Sequence, residues 1–189
     1  MKALQVLSLL LLTAAAADGQ SFHFGRCPRP PVQEDFIVTK YMGTWYEIEK
    51  LPALFERGKC NQATYTLLPD GTVNVYNAEL LFNGKINSIE GVAKVKDPSH
   101  PANLDVSFFK GVPDSPYWVL STDYQLYALV YSCAEYFGLF HFDLAWILAR
   151  ARVLPDDVIS LLHDKLTDAG VNVNRLIVSN QTGCDSLNQ

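Results

Sequence analysis

The stretch Gly43-Thr44-Trp45-Tyr46-Glu47-Ile48 decides how the rest of the chain is read. A glycine two residues ahead of a tryptophan, at the entry to a β-rich run, lets the backbone bend tightly and then bury a large ring. Two later stretches belong with it. Thr122-Asp123-Tyr124 stands between two strand-like runs, and Arg150 closes the apolar run Leu144-Ala145-Trp146-Ile147-Leu148-Ala149.

Outward from Trp45, strand patterns recur at regular intervals with turn residues between them. The pattern predicts strands near 44–51, 61–68, 72–79, 86–95, 102–109, 117–123, 126–133 and 141–149. Pro69-Asp70-Gly71 and Asn83-Gly84 are turn signals, and Pro98, Pro101 and the segment 113–116 mark further loops. A string of short antiparallel strands points to a barrel, which removes exposed sheet edges. After Arg150 the period changes. Pro155 suits a first helical position, Asp156 and Asp157 complement the positive end of a helix, and Val158, Leu161, Leu162 and Leu166 share one face before Gly170. A final short strand is expected at 175–178.

The amino terminus reads as a signal peptide over 1–19: Lys2, the apolar run Leu4 to Ala17, then small residues at Ala17-Asp18-Gly19. Gln20 is the expected mature start, 20–189 the single domain, and the protein is expected to be secreted. The apolar run is too short for a membrane span. The net charge of −5, without a basic cluster, argues against nucleic acid and against anionic membranes as partners. Four cysteines, Cys27, Cys60, Cys133 and Cys184, behind a signal peptide read as two disulfides with three possible connectivities.

The glycine–tryptophan stretch, the Thr-Asp-Tyr stretch and the arginine, in this order, resemble the three signature regions of the lipocalins. The resemblance implies an all-β, eight-stranded antiparallel up-and-down barrel with one C-terminal helix packed outside. It gives Gly43, Trp45, Thr122, Asp123, Tyr124 and Arg150 structural roles, with the arginine over the tryptophan at the closed end in a cation–π contact. It also implies the pairing Cys27–Cys133 and Cys60–Cys184. The function implied is a secreted carrier of small hydrophobic ligands: fatty acids such as arachidonate, steroids such as progesterone, or bilin- and retinoid-like molecules. A lipoprotein particle or a cell-surface receptor is the implied partner. No cofactor is expected.

Within such a barrel, alternation fixes which side chains face the lumen. Counting back from Arg150 gives Leu148, Trp146, Leu144 and Phe142. On the fifth strand, Leu104, Val106 and Phe108 share a face against Asp105 and Ser107, and on the second and third Ala63, Tyr65, Leu67, Val73, Val75 and Asn77 do so. The candidate ligand-binding residues are Tyr65, Val75, Asn77, Leu104, Val106, Phe108, Phe142, Leu144 and Trp146, an apolar wall with a few polar atoms. Plain core packing is the competing reading for each apolar member. Alternation from Trp45 would also turn Glu47 and Glu49 inward, at a high desolvation cost, so they are left unassigned.

Catalytic patterns are absent, and no enzymatic activity is expected. His23, His100, His141 and His163 lack metal-like spacing, and at least three of the four read as surface or loop residues; His141 alone lies in a barrel strand, facing outward. An isomerase using a pocket cysteine, and an interaction module with a filled barrel, are the rival functions. Asn180-Gln181-Thr182 is the only glycosylation sequon, making Asn180 a candidate.

Overall fold

Eight strands close on themselves in the computed structural model, which describes residues 21–188. They are β2 (Gly43–Lys50), β3 (Lys59–Leu67), β4 (Val73–Leu80), β5 (Ile86–Val95), β6 (Asn103–Ser107), β7 (Ser115–Thr122), β8 (Tyr127–Tyr136) and β9 (Phe140–Ala149). Each pairs antiparallel with the next, and β9 returns to β2. Two short strands extend the sheet, β1 (Ser21–Phe24) and β10 (Ile177–Val178). Helix α1 (Val38–Tyr41) precedes β2, and α2 (Asp156–Asp168) follows the barrel. The signal peptide expected over 1–19 and the expected start at Gln20 lie outside the described residues.

All eight expected barrel strands are present, with ends shifted by up to three residues; β1 and α1 were not expected. β9 is longer than the part of β2 it meets. It pairs with β2 from Ala149 to Trp146, and β1 covers the same edge from Asp143 to Phe140. On the other edge of β2, contact with β3 ends at Tyr46, and β10 pairs with Glu49 and Lys50. The Cys60 amide then donates to the Asn180 carbonyl at 2.8 Å. The C-terminal segment is thus wedged between β2 and β3. The strand expected over 175–178 shrinks to two residues, because Val173–Arg175 form a 3₁₀ turn.

The core has two layers. Trp45, Tyr65, Val73, Val75, Leu104, Val106, Val119, Val130 and Leu148 fill the barrel, with Trp146 and Phe108 packed against them. Ile48, Leu51, Leu129, Tyr131, Ile147, Leu162 and Leu166 form the second layer, between wall and helix. Pro155 caps α2 instead of occupying its first position, because its ψ of 142° is extended. Leu161, placed on the buried helix face by periodicity, is 49% exposed. Leu162 and Leu166, one turn apart, make the contact instead.

Gly43 illustrates why a sequence signature is tied to this fold. Its φ is +95°, a conformation costly for any residue with a Cβ, and an added Cβ would stand 3.3 Å from Arg150 Nη1. The disulfides are Cys27–Cys133 and Cys60–Cys184, separated by 106 and 124 residues. The first ties the N-terminal arm to β8; the second ties the C-terminal wedge to β3.

Candidate ligand-binding lumen

The closed end of the barrel is organised by Arg150. Its guanidinium lies 3.7 Å from the centroid of the Trp45 ring. Its Nε donates to the Tyr124 carbonyl at 3.0 Å, Nη1 to that of Thr44 at 2.9 Å, and Nη2 to that of Met42 at 2.8 Å. Asp123 holds the adjoining turn, accepting from the amides of Gln125, Leu126 and Tyr127. Thr122 Oγ1 donates to the Tyr127 carbonyl and accepts from the Tyr124 amide. The six signature residues therefore form one floor.

Above the floor lies a chain of three buried phenols. The hydroxyls of Tyr41 and Tyr65 each stand 2.8 Å from that of Tyr117. Three hydroxyls in a row carry three protons but make two bonds among themselves, so one terminal proton remains for another acceptor. Burial pushes Tyr65 up to about 12 and raises Tyr41 and Tyr117 as well. The folded state thus prefers protonated phenols. Their contribution is complete below pH 10 and is lost as pH rises through 12, on the order of 3 kcal/mol for Tyr65 alone. A stability profile from pH 9 to 12 should therefore fall more steeply in wild type than in Tyr65→Phe.

The open half is more polar. A register shift between Glu47 and Glu49 on β2 breaks the alternation, a β-bulge that sends the two acids to opposite sides. Glu49 turns outward to His163 on α2, at 2.6 Å. Glu47 stays in the wall, where Lys50 Nζ lies at 3.1 Å, Asn61 Nδ2 donates at 3.0 Å, and the Ser179 hydroxyl donates as well. Lys50 also pairs with Glu56 of the β2–β3 loop, and Trp146 Nε1 donates to Glu56 Oε1 at 3.2 Å. Burial, then the charge of Glu47, push Glu56 up to about 8 against the pull of Lys50. Asn61 Oδ1 is a buried acceptor with no protein partner among the described residues. The same loop is pinned by Glu79, which accepts from the amides of Arg57 and Gly58 at 2.8 and 2.5 Å. Beside it, a pocket of about 450 Å³ is lined by Lys50, Leu54, Glu56, Asn61, Phe82, Ile177 and Val178, among others.

Of the candidate residues, Tyr65, Val75, Leu104 and Val106 are buried in the lumen cluster, and Trp146 and Phe108 pack against it half-buried. Phe108 lies one residue past β6. Asn77 pairs with Ala63 on the wall. Phe142 and Leu144 keep the phase of Trp146 but stand outside the packed cluster; Phe142 joins an aromatic group with Phe22, Phe140 and Tyr136 near the barrel mouth. Leu67, expected inward, is 42% exposed at the end of β3. Sequence reasoning missed Tyr41, Tyr117 and Glu56, which lie in the short helix α1, near the start of β7 and in the β2–β3 loop, where alternation gives no phase. Of the four histidines, His100 is exposed, and His23 on β1 and His163 on α2 keep 37% and 33% of their side chains in solvent; His141, in β9 as expected, is the buried one at 7% and stacks on His23. Asn180 is exposed, its Oδ1 accepting from Thr182 Oγ1 at 2.7 Å.

A family model described as a lipocalin-like domain matches residues 36–181. The chain is 49% identical over 181 residues to apolipoprotein D of Mus musculus, covering 96% of each, and 50% identical to apolipoprotein D of Bos taurus, covering 93% of this chain and 96% of the bovine protein. Among solved structures, insecticyanin from the tobacco hornworm Manduca sexta superposes with a TM-score of 0.75 at 27% identity, over 88% of this chain and 92% of its own. Lobster apocrustacyanin A1 shares the fold with a TM-score of 0.73 at 20% identity, over 86% and 92%.

Proposed function

Because the chain belongs to the lipocalin family, we propose that it is a secreted carrier that holds a small hydrophobic molecule in the lumen of its barrel. The observation that carries this reading is the phenol chain Tyr41–Tyr117–Tyr65 beneath an otherwise apolar wall. Its one uncommitted proton suits a single acceptor on a largely apolar ligand, such as the ketone of progesterone. Val75, Leu104, Val106, Phe108 and Trp146 supply the apolar contact, Asn77 a further polar atom, and Phe142 and Leu144 the approach from the mouth. Burying about 300 Å² of apolar ligand surface contributes several kcal/mol at about 25 cal/mol per Å², and ordering losses bring the affinity to about micromolar. Long-chain fatty acids such as arachidonate are the second ligand class. No catalytic step is assigned, since all four cysteines are paired.

The β2–β3, β4–β5, β6–β7 and β8–β9 connections emerge at one end of an up-and-down barrel. They carry the exposed apolar residues Leu54, Phe55, Phe82, Phe109, Val112, Phe137 and Leu139. Such a rim supports exchange of ligand with a lipid surface, a lipoprotein particle or a receptor. A glycan at Asn180 would lie on the C-terminal wedge.

Trp146 offers the test. Titration with progesterone or arachidonate is expected to quench or shift its emission. Trp146→Phe should remove most of that signal and weaken binding by roughly 0.5–2 kcal/mol. Trp45→Phe, which alters a ring under the arginine, should retain the signal. A full-amplitude signal at full affinity in Trp146→Phe would overturn the lumen assignment.

A further inference from the structure

The group Lys50, Glu47, Glu56 and Trp146 sits where β2 leaves β3, and its arrangement is unusual for a buried ion pair. One lysine faces two carboxyls. Glu47 is the fixed counterion: its carboxylate also receives Asn61 Nδ2 and the Ser179 hydroxyl, so three elements hold it in place. Glu56 is different. It belongs to the loop between Lys50 and Lys59, whose neighbouring residues Leu54 and Phe55 are 56% and 58% exposed, and its carboxyl reaches back to Lys50 and to the indole N–H of Trp146. The charge of Lys50 is already balanced by Glu47. The third place therefore suits a carboxylic acid that accepts one hydrogen bond from the indole, next to a ring packed on the lumen cluster. The raised value of about 8 for Glu56 agrees with an acid held mostly protonated near neutral pH.

We propose that Glu56 is a resident stand-in for a ligand's carboxyl group, occupying a head-group subsite on Lys50 and Trp146 that a long-chain fatty acid takes by displacing the β2–β3 loop side chain. The proposal rests on the carrier reading and deepens it: it assigns acids and neutral ligands different polar contacts, the acid at Lys50 and Trp146, the neutral acceptor at the phenol chain. Displacement leaves the cluster's charge unchanged when the incoming carboxylate takes up the proton that Glu56 gives up on reaching solvent. Glu56 moves outward to solvent, while Glu79 keeps the Arg57 and Gly58 amides and so limits how far the loop travels.

Two measurements decide it. In the first, the indole N–H resonances of Trp45, Trp118 and Trp146 are followed in ¹⁵N-tryptophan-labelled protein while sodium butyrate is added. In Glu56→Ala the Trp146 resonance should move from its wild-type position, and butyrate should return it saturably, whereas butyramide should not. Unmoved Trp45 and Trp118 resonances report an intact barrel. Wild type should require a butyrate concentration about tenfold higher or more, since its own carboxyl competes. In the second, the affinity ratio of arachidonate to its methyl ester should rise by about fivefold or more in Glu56→Ala. It should rise less in Glu56→Gln, which keeps the volume and the contact to Trp146. An unchanged ratio, or a Trp146 resonance indifferent to butyrate or equally moved by butyramide, overturns the proposal. If neither long-chain ligand binds any form, the carrier reading fails, and the butyrate titration still decides the subsite.

Discussion

Arg150→Ala is expected to lower the stability of the barrel by about 3–5 kcal/mol while changing ligand affinity by less than about threefold. The substitution removes the cation lying 3.7 Å over Trp45. It also strips the donors from the carbonyls of Thr44, Met42 and Tyr124, which α1, β2 and the β7–β8 turn bring to one point. Carbonyls left without a donor are the larger loss, because they remain half-shielded from water. Arg150→Lys tests this division: an ammonium keeps the charge but cannot fork to three carbonyls, so it should recover less than half of the deficit. Denaturant titration reads the stability and progesterone binding reads the affinity. A variant as stable as wild type but unable to bind would contradict the assignment of Arg150 to the floor.

The second large effect concerns the bridge Cys60–Cys184. Replacing both cysteines by alanine should cost roughly 4–5 kcal/mol by the chain-entropy estimate for a loop of this length. The damage should be localised. The C-terminal segment fills the gap where β3 leaves β2, through the amides of Cys60 and Ser179, which donate to Asn180 and Ile48 at 2.8 and 2.9 Å. Those two amides should lose most of their hydrogen-exchange protection in the double variant, while the β8–β9 amides keep theirs. Equal loss in both places would mean that the bridge supports the whole barrel and not its seam. Non-reducing peptide mapping of the wild type should recover Cys27 with Cys133 and Cys60 with Cys184.

The sequence made the closed end legible because Gly43, Trp45 and Arg150 each do something few other residues can: a positive φ, a large buried ring, a planar cation. Strand phase on β9 was readable for the same reason, since alternation from Arg150 runs unbroken to Phe142. The open end was not readable. One extra residue at Glu47–Glu49 reverses the phase, and nothing in the local composition marks it. β1 pairs with a strand about 120 residues away, so its only local trace is the pair Phe22 and Phe24. Glu56 lies in a loop, where neither period applies, and its partners Lys50 and Trp146 come from both sides of the barrel's closure. Tyr117 follows Pro116 near the start of β7, and its meeting with Tyr41 and Tyr65 depends on three elements converging.

The two bridges also set a timetable for synthesis. Cys60 is made 124 residues before Cys184 and Cys27 106 residues before Cys133. At about 5–20 residues per second, Cys60 waits roughly 6–25 s for its partner. During that wait the nearest thiol in the growing chain is Cys27, whose bond to Cys60 would close a short and easily formed loop. The native pairs therefore depend on β8 reaching the N-terminal arm and on the C-terminal wedge reaching β3, and an earlier Cys27–Cys60 bond has to be undone by thiol–disulfide exchange. Production of this protein should accordingly be limited by disulfide exchange, with the Cys27–Cys60 isomer as the trapped species in an oxidant without isomerase.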